Sequence, residues 1–244
     1  MGKNVIISVF DKTNLDLIAK FLIKKKYTIY STGGTSRYLN KINIPHIEIS
    51  KYTKQKEILD GRVKTLHPKI FGGILGTTIK SHQKEMKSEG IVSFDLLVIN
   101  LYPFQETVNG TKDKSKIIEM IDIGGPSLLR AASKNYKYIT PIIDHKDYPK
   151  LIKNLKKNSG VTDIVFRKRM ALKIFKETSK YDKIISIEMI EAVGYEFIPL
   201  FFSKVSSLLK PDGLVALQGI TYNDQQFDIF IFPHFECYSR REIS

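Results

Sequence analysis

Residues Tyr27–Ile42 read YTIYSTGGTSRYLNKI, a β-prone run that passes through a glycine pair straight into helical spacing. Tyr27 to Thr32 has the length and composition of a strand, and Ser36 to Ile42 predicts a short helix. A strand feeding a helix through so tight a turn is the repeating step of an α/β fold. Gly33-Gly34 has two readings. It is either a simple turn or a cradle whose backbone N–H groups face an anion, with the helix dipole assisting. The local pattern does not separate them.

The same grammar continues outward. Asn4 to Phe10 (NVIISVF) predicts a buried strand that stops at Asp11-Lys12. Thr13 or Asn14 is the expected cap of a helix with apolar positions Leu15, Ile18, Ala19 and Leu22. His46 to Ser50 alternates like a half-buried strand, Ser81 to Glu89 reads as a polar helix, and Asp95 to Leu101 (DLLVINL) is the clearest buried strand. Ile117 to Ile121 reads as a short helix, Ser127 to Lys134 as a longer one, and Tyr138 to Ile143 as a strand. Asp147 to Lys157 and Val161 to Lys180 read as helices. Alternation of β and α throughout predicts a mainly parallel sheet with helices on both faces.

Composition narrows the function classes. The 244 residues are 42% hydrophobic and 11% aromatic, enough for a substantial core, with no apolar run of membrane-spanning length and no signal-peptide pattern at the start. A cytoplasmic location is expected. The single cysteine, Cys237, excludes an intramolecular disulfide, and five scattered histidines lack metal-ligand spacing. The net charge of +14 is unevenly placed: residues 1–180 carry +18 and residues 181–244 carry −4. Without aromatic interleaving or a recognition motif, the lysines read as a solvated surface, so neither nucleic acid nor a membrane is an expected partner.

Three stretches carry chemistry. Asp60 to Gly76 (DGRVKTLHPKIFGGILG) sets Arg62, Lys64, Thr65 and His67 ahead of Pro68. That proline with Gly72-Gly73 argues against one continuous helix, and the set suits a substrate bearing a phosphate, although a solvated basic turn has the same composition. Asn100 and Tyr102 lie two apart at a strand's carboxyl end, where open α/β sheets bind ligands. Asp122 before Gly124-Gly125-Pro126 is either a helix cap or an acid-base group.

In order along the chain, ISVFDK, STGGTSRYL, DGRVKTLHPKIFGGILG, DLLVINLYPF and IDIGGPSLLRAASKN resemble the inosine monophosphate cyclohydrolase domain of the bifunctional purine biosynthesis family, from about Val5 to Asp182. The resemblance implies a methylglyoxal-synthase-like α/β fold over residues 1–180, a homodimer, no metal and no cofactor. It also implies closure of the purine ring of 5-formamidoimidazole-4-carboxamide ribonucleotide with loss of water, a cyclohydrolase working in the ring-closing direction. On this resemblance Lys64, Tyr102, Asp122 and Lys134 are catalytic, with Lys134 the partner of Asp122. Ser8, Lys12, Thr32, Gly33, Gly34, Thr35, Arg62, Thr65, Asn100 and Gly124 bind substrate. Phe10 stands where the family often has serine. The alternative is a non-catalytic nucleotide-phosphate-binding module of the same fold, which needs only the phosphate loops.

Residues 181–244 are expected to form a small separate α/β appendage in place of the family's folate-dependent transformylase domain. Tyr181 to Phe230 resembles an internal segment of the cyclopropane-fatty-acid synthase family of S-adenosylmethionine-dependent methyltransferases, which implies a chimeric junction near Tyr181. Glu191 matches an active-site glutamate of that family, but the family's glycine-rich cofactor loop has no counterpart. Strands at Lys183 to Ile187, Leu214 to Ile220 and Phe227 to Phe232 and a helix at Ile198 to Lys210 are predicted.

Overall fold

A computed structural model describes residues 3–59, 63–178, 181–187, 195–220 and 227–232. Arg62 and Glu191 lie outside them. The chain forms two compact units, Met1–Phe175 and Lys176–Ser244.

The first unit is built on five parallel strands in the order β3-β2-β1-β4-β5. These are β1 (Lys3–Ser8), β2 (Tyr27–Ser31), β3 (Ile47–Glu48), β4 (Leu96–Ile99) and β5 (Thr140–Ile142). Strand alternation sends Val5 and Ile7 of β1, Ile29 of β2 and Leu96 and Val98 of β4 into one core, with Leu15, Ile18 and Leu22 of α1 (Leu15–Lys24). Ile6, Tyr30, Leu97 and Ile99 enter the opposite core, with Ile70 and Ile74 of α4 (Pro68–Leu75) and Leu128, Leu129 and Ala132 of α8 (Gly124–Lys134). Helices therefore cover both faces, which is why these strands read as continuous apolar runs. The remaining helices of this unit are α2 (Gly33–Lys41), α3 (Ile49–Thr53), α5 (Lys80–Ser88), α6 (Phe104–Gly110), α7 (Lys114–Glu119), α9 (Tyr148–Lys157) and α10 (Ile164–Thr178).

Two local expectations change, and two further features are not foreseen from the sequence. The strand over His46 to Ser50 shrinks to Ile47–Glu48, because the chain turns at once into α3, which buries Ile49 in the second core. Neither Thr13 nor Asn14 caps α1 with its side chain; Asp11 instead accepts from the amide and the hydroxyl of Thr13, at 2.9 and 2.7 Å. Gly72 and Gly73 lie inside α4, with Pro68 at its first turn and the His67 ring accepting from the Lys69 amide. The glycines are there for close packing: a Cβ on Gly73 would collide with the Val92 carbonyl oxygen and fall 2.7 Å from the Phe94 ring. Helix α6 is an element that no apolar period in FQETVNG announces.

The second unit pairs β6 (Tyr181–Ile187) parallel to β7 (Leu209–Ile220), linked through α11 (Ile198–Leu208), and β8 (Phe227–Phe232) antiparallel to β7. The elements match the expected ones, with β6 beginning two residues early, the helix ending two residues early and β7 beginning five residues early. Val205, Val215 and Leu217 form its small core.

Candidate active site

Strand order 3-2-1-4-5 reverses direction between β1 and β4, and an open sheet leaves a crevice at the carboxyl ends of such a pair. A cavity of about 510 Å³ lies there. It is lined by Ser8 at the end of β1 and Lys12 after it, Thr32, Gly34 and Thr35 after β2, Lys64 and Thr65, Asn100 and Tyr102 after β4, Asp122 before α8 and Gly124 at its start. Residues far apart in sequence thus meet because three parallel strands end side by side. Gly33 is not on the cavity wall, but its φ of 40° is left-handed and a Cβ there would lie 4.0 Å from Lys64 Nζ.

The floor is a ladder of hydroxyls. Ser8 Oγ and Thr32 Oγ1 are 2.8 Å apart, so one donates to the other and the second keeps a proton to offer. Thr35 Oγ1 donates to the Val9 carbonyl and accepts from the Val9 amide, both at 2.9 Å, which ties the start of α2 to the end of β1. With the N-terminus of α2 beside them, these groups have the donors and the dipole that can receive an anion.

Two of the expected binding residues spend their polar atoms on the first loop. Asn100 Oδ1 accepts from the amides of Phe10 and Asp11, at 2.5 and 3.1 Å, and its Nδ2 donates to the Asp11 carbonyl at 2.8 Å. Lys12 Nζ donates to the carbonyls of Val9 and Phe10, at 2.5 and 2.7 Å, and burial lowers its pKa. Asn100 thereby clamps together the two strand ends that flank the crevice.

Asp122, Lys64 and Tyr102 line the cavity together. Burial raises the Asp122 pKa, against the opposing pull of the Gly125 amide and the Lys64 charge. Tyr102 is also pushed up, first by burial and then by the charges of Asp122 and Glu57. Asp122 Oδ1 accepts from the Gly125 amide at 2.8 Å, so the aspartate caps the start of α8 while remaining on the cavity wall. The helix-cap reading of Asp122 holds, and its carboxylate also faces the cavity.

Lys134 is not on this wall. It ends the 11-residue helix that Asp122 precedes, about 16 Å along the axis, and it is exposed. Among the described residues the expected Asp122–Lys134 pair does not form, and Lys64 is a cation that acts on Asp122. His67 is used as a cap of α4. Glu57 escaped the sequence reading: its carboxylate oxygen lies 3.6 Å from the Cβ position of Gly33, and its charge reaches Tyr102. In the row KQKE it looks like any solvated charge.

Comparison with known proteins follows this geometry. The family described as MGS-like domain matches residues 14–127, and the family described as AICARFT/IMPCHase bienzyme matches residues 132–208. A solved structure, "Crystal structure of ForH", superposes with a TM-score of 0.64 at 30% identity, covering 72% of this chain and 92% of that one. Residues 14–127 are thus similar to the MGS-like domain family. Relatives include the bifunctional purine biosynthesis protein PurH of Staphylococcus carnosus (strain TM300), 46% identical over 185 residues, which is 75% of this chain and 37% of that protein. The same-named protein of Buchnera aphidicola subsp. Acyrthosiphon pisum (strain 5A) is 47% identical over 190 residues, 78% of this chain and 36% of the relative. The chain thus spans little more than a third of these relatives' length. The bienzyme match runs across the junction expected near Tyr181, and the methyltransferase resemblance finds no support. Its physical basis was thin, since a strand, a helix and a parallel strand recur in many α/β proteins.

Among the described residues, no group of three or more His, Cys, Asp or Glu is placed to hold a metal ion, and no helix is long and apolar enough to cross a membrane.

Proposed function

We propose that the first unit is an inosine monophosphate cyclohydrolase, closing the ring of 5-formamidoimidazole-4-carboxamide ribonucleotide. The observation that carries this reading is the meeting of Lys64, Tyr102 and Asp122 on one wall of a cavity whose floor is a hydroxyl-lined anion seat. The family matches and the relatives' names support it.

The chemistry uses these groups in turn. The phosphate sits on Ser8, Thr32 and the start of α2, which brings the carboxamide and formamide groups to the wall and replaces a chance encounter with a held one. The carboxamide nitrogen attacks the formyl carbon and forms the new C–N bond, while Asp122 takes the proton that the nitrogen loses. Tyr102, kept as the phenol by its raised pKa, donates to the formyl oxygen, and Lys64 stabilises its developing charge. That oxygen then leaves as water with two protons, one originating on the carboxamide nitrogen and one on the formamide nitrogen, which leaves the aromatic pyrimidinone.

The raised pKa of Asp122 makes it a stronger base than an ordinary aspartate, and the Lys64 charge works against that rise by favouring the carboxylate. Lys134 takes no part from within the same chain. Cytoplasmic location and a homodimer belong to the same reading, and sedimentation would decide the latter.

A binding module and a catalyst differ in one comparison. If the reading is right, Asp122→Asn binds inosine monophosphate about as well as the parent and loses turnover of the formylated ribonucleotide. Binding by both proteins with turnover by neither would leave only the non-catalytic alternative.

A further inference from the structure

Phe10 is 45% exposed although it is a large apolar side chain, and it lines the cavity. Its position is not loose. The amide donates to Asn100 Oδ1 and the carbonyl accepts from Lys12 Nζ, so the backbone that carries the ring is held on both sides. The ring meets Tyr102 edge to face, with centroids 5.4 Å apart and planes at 72°. Leu66, Ile118 and Ile121 line the same cavity and are exposed as well.

The cavity therefore has two chemically different sides. Ser8, Thr32 and the start of α2 suit an anion, while Phe10 and its aliphatic neighbours present apolar surface to water. A ligand that satisfies both carries a phosphate at one end and a flat heteroaromatic ring at the other. Covering the open part of the Phe10 ring with such a heterocycle removes apolar area from water and adds a stacking contact. A ligand ending at the sugar leaves that surface wet.

We propose that Phe10 is a specificity-determining residue, which seats the planar heterocycle of a phosphorylated ligand against its ring and so separates nucleotides from sugar phosphates. This rests on the reading of the cavity as a nucleotide site, and it adds the element that recognises the ring.

Calorimetric titration of the full chain with inosine monophosphate and with ribose 5-phosphate tests it, using Phe10→Ala and Phe10→Leu. Phe10→Ala should weaken the nucleotide about tenfold, the scale of a lost base–aromatic stack, while ribose 5-phosphate binding stays within about twofold. Phe10→Leu keeps apolar bulk without a ring and should show the same selective loss. Equal weakening of both ligands, or unchanged nucleotide affinity in either variant, overturns the assignment of Phe10. No binding of inosine monophosphate by the parent protein would instead overturn the nucleotide reading itself.

Discussion

Asp122 and Gly125 fit together in a way that permits no side chain at the glycine. The Gly125 amide donates to Asp122 Oδ1 at 2.8 Å, and a Cβ on Gly125 would run into the other carboxylate oxygen. The start of α8 thus holds the proposed base in place through a backbone N–H, and only glycine lets the carboxylate come so near.

Gly125→Ala should therefore act on catalysis through Asp122. Displacing a reacting group by about 1 Å can cost about 10²-fold in rate, so turnover is expected to fall by about that factor with the circular dichroism spectrum unchanged. Turnover equal to the parent's would show that the position of Asp122 is unimportant.

Lys64→Ala and Asp122→Ala should each lower turnover by about 10² or more, as expected for groups that act on charge and protons in the transition state. Lys134→Ala should stay within about threefold, because an exposed charge about 16 Å away is largely screened. A loss at Lys134 as large as that at Lys64 would mean that the lysine enters the site from a second copy of the chain.

The pH profile should carry the mark of Asp122. The base works only when ionised, so the rate falls as pH falls through its pKa. Burial raises that pKa above the ordinary 3.8, so the acid limb lies closer to neutrality than a free aspartate would place it. Tyr102 must stay protonated, and its raised pKa puts the corresponding alkaline limb above 10. Steady-state rates against pH should show the displaced acid limb; a limb at or below 3.8 would assign the proton transfer to another group.

Stability depends on a different cluster. Lys173 Nζ donates to Asp147 at 2.6 Å and to Asp144 at 3.1 Å, and Asp147 is 2% exposed. Burial opposes ionisation of both Asp144 and Lys173, but their hydrogen bonds and charges win, so the Asp144 pKa is lowered and the Lys173 pKa raised. The contribution of Asp144 is present above 3.8 and lost as pH falls through its lowered pKa. That of Lys173 is present below 10.5 and lost as pH rises through its raised one. Lys173→Met should cost about 2 kcal/mol at neutral pH, moderated because Lys150 also reaches Asp147 at 3.0 Å. Denaturant unfolding would measure it, and an unchanged midpoint would contradict it.

The sequence was most legible where burial alone sets the pattern. Asn4 to Phe10, Tyr27 to Thr32 and Asp95 to Leu101 show their strands because both faces are covered, and the alternation of β and α then implies a parallel sheet. His46 to Ser50 misled because Ile47 and Ile49 alternate like strand residues, although a helix buries Ile49. At the site, residue types could be read, but atom assignments could not. Asn100 and Lys12 spend polar atoms on loop backbone, which depends on where β1 and β4 end relative to one another. The Asp122–Lys134 pairing failed on helix length. Glu57 and the Ser8–Thr32 hydroxyl pair arise only from contacts between distant segments.

Ring closure by the purified protein tests the central claim most directly. Mixing it with 5-formamidoimidazole-4-carboxamide ribonucleotide should convert the ultraviolet spectrum to that of inosine monophosphate. The rate should be proportional to enzyme and unchanged by chelator or added folate. A chain ending after residue 178 should keep that activity, since the lining residues run from Ser8 to Leu128. No spectral change above the uncatalysed rate, in a folded protein that binds the product, would contradict the cyclohydrolase assignment.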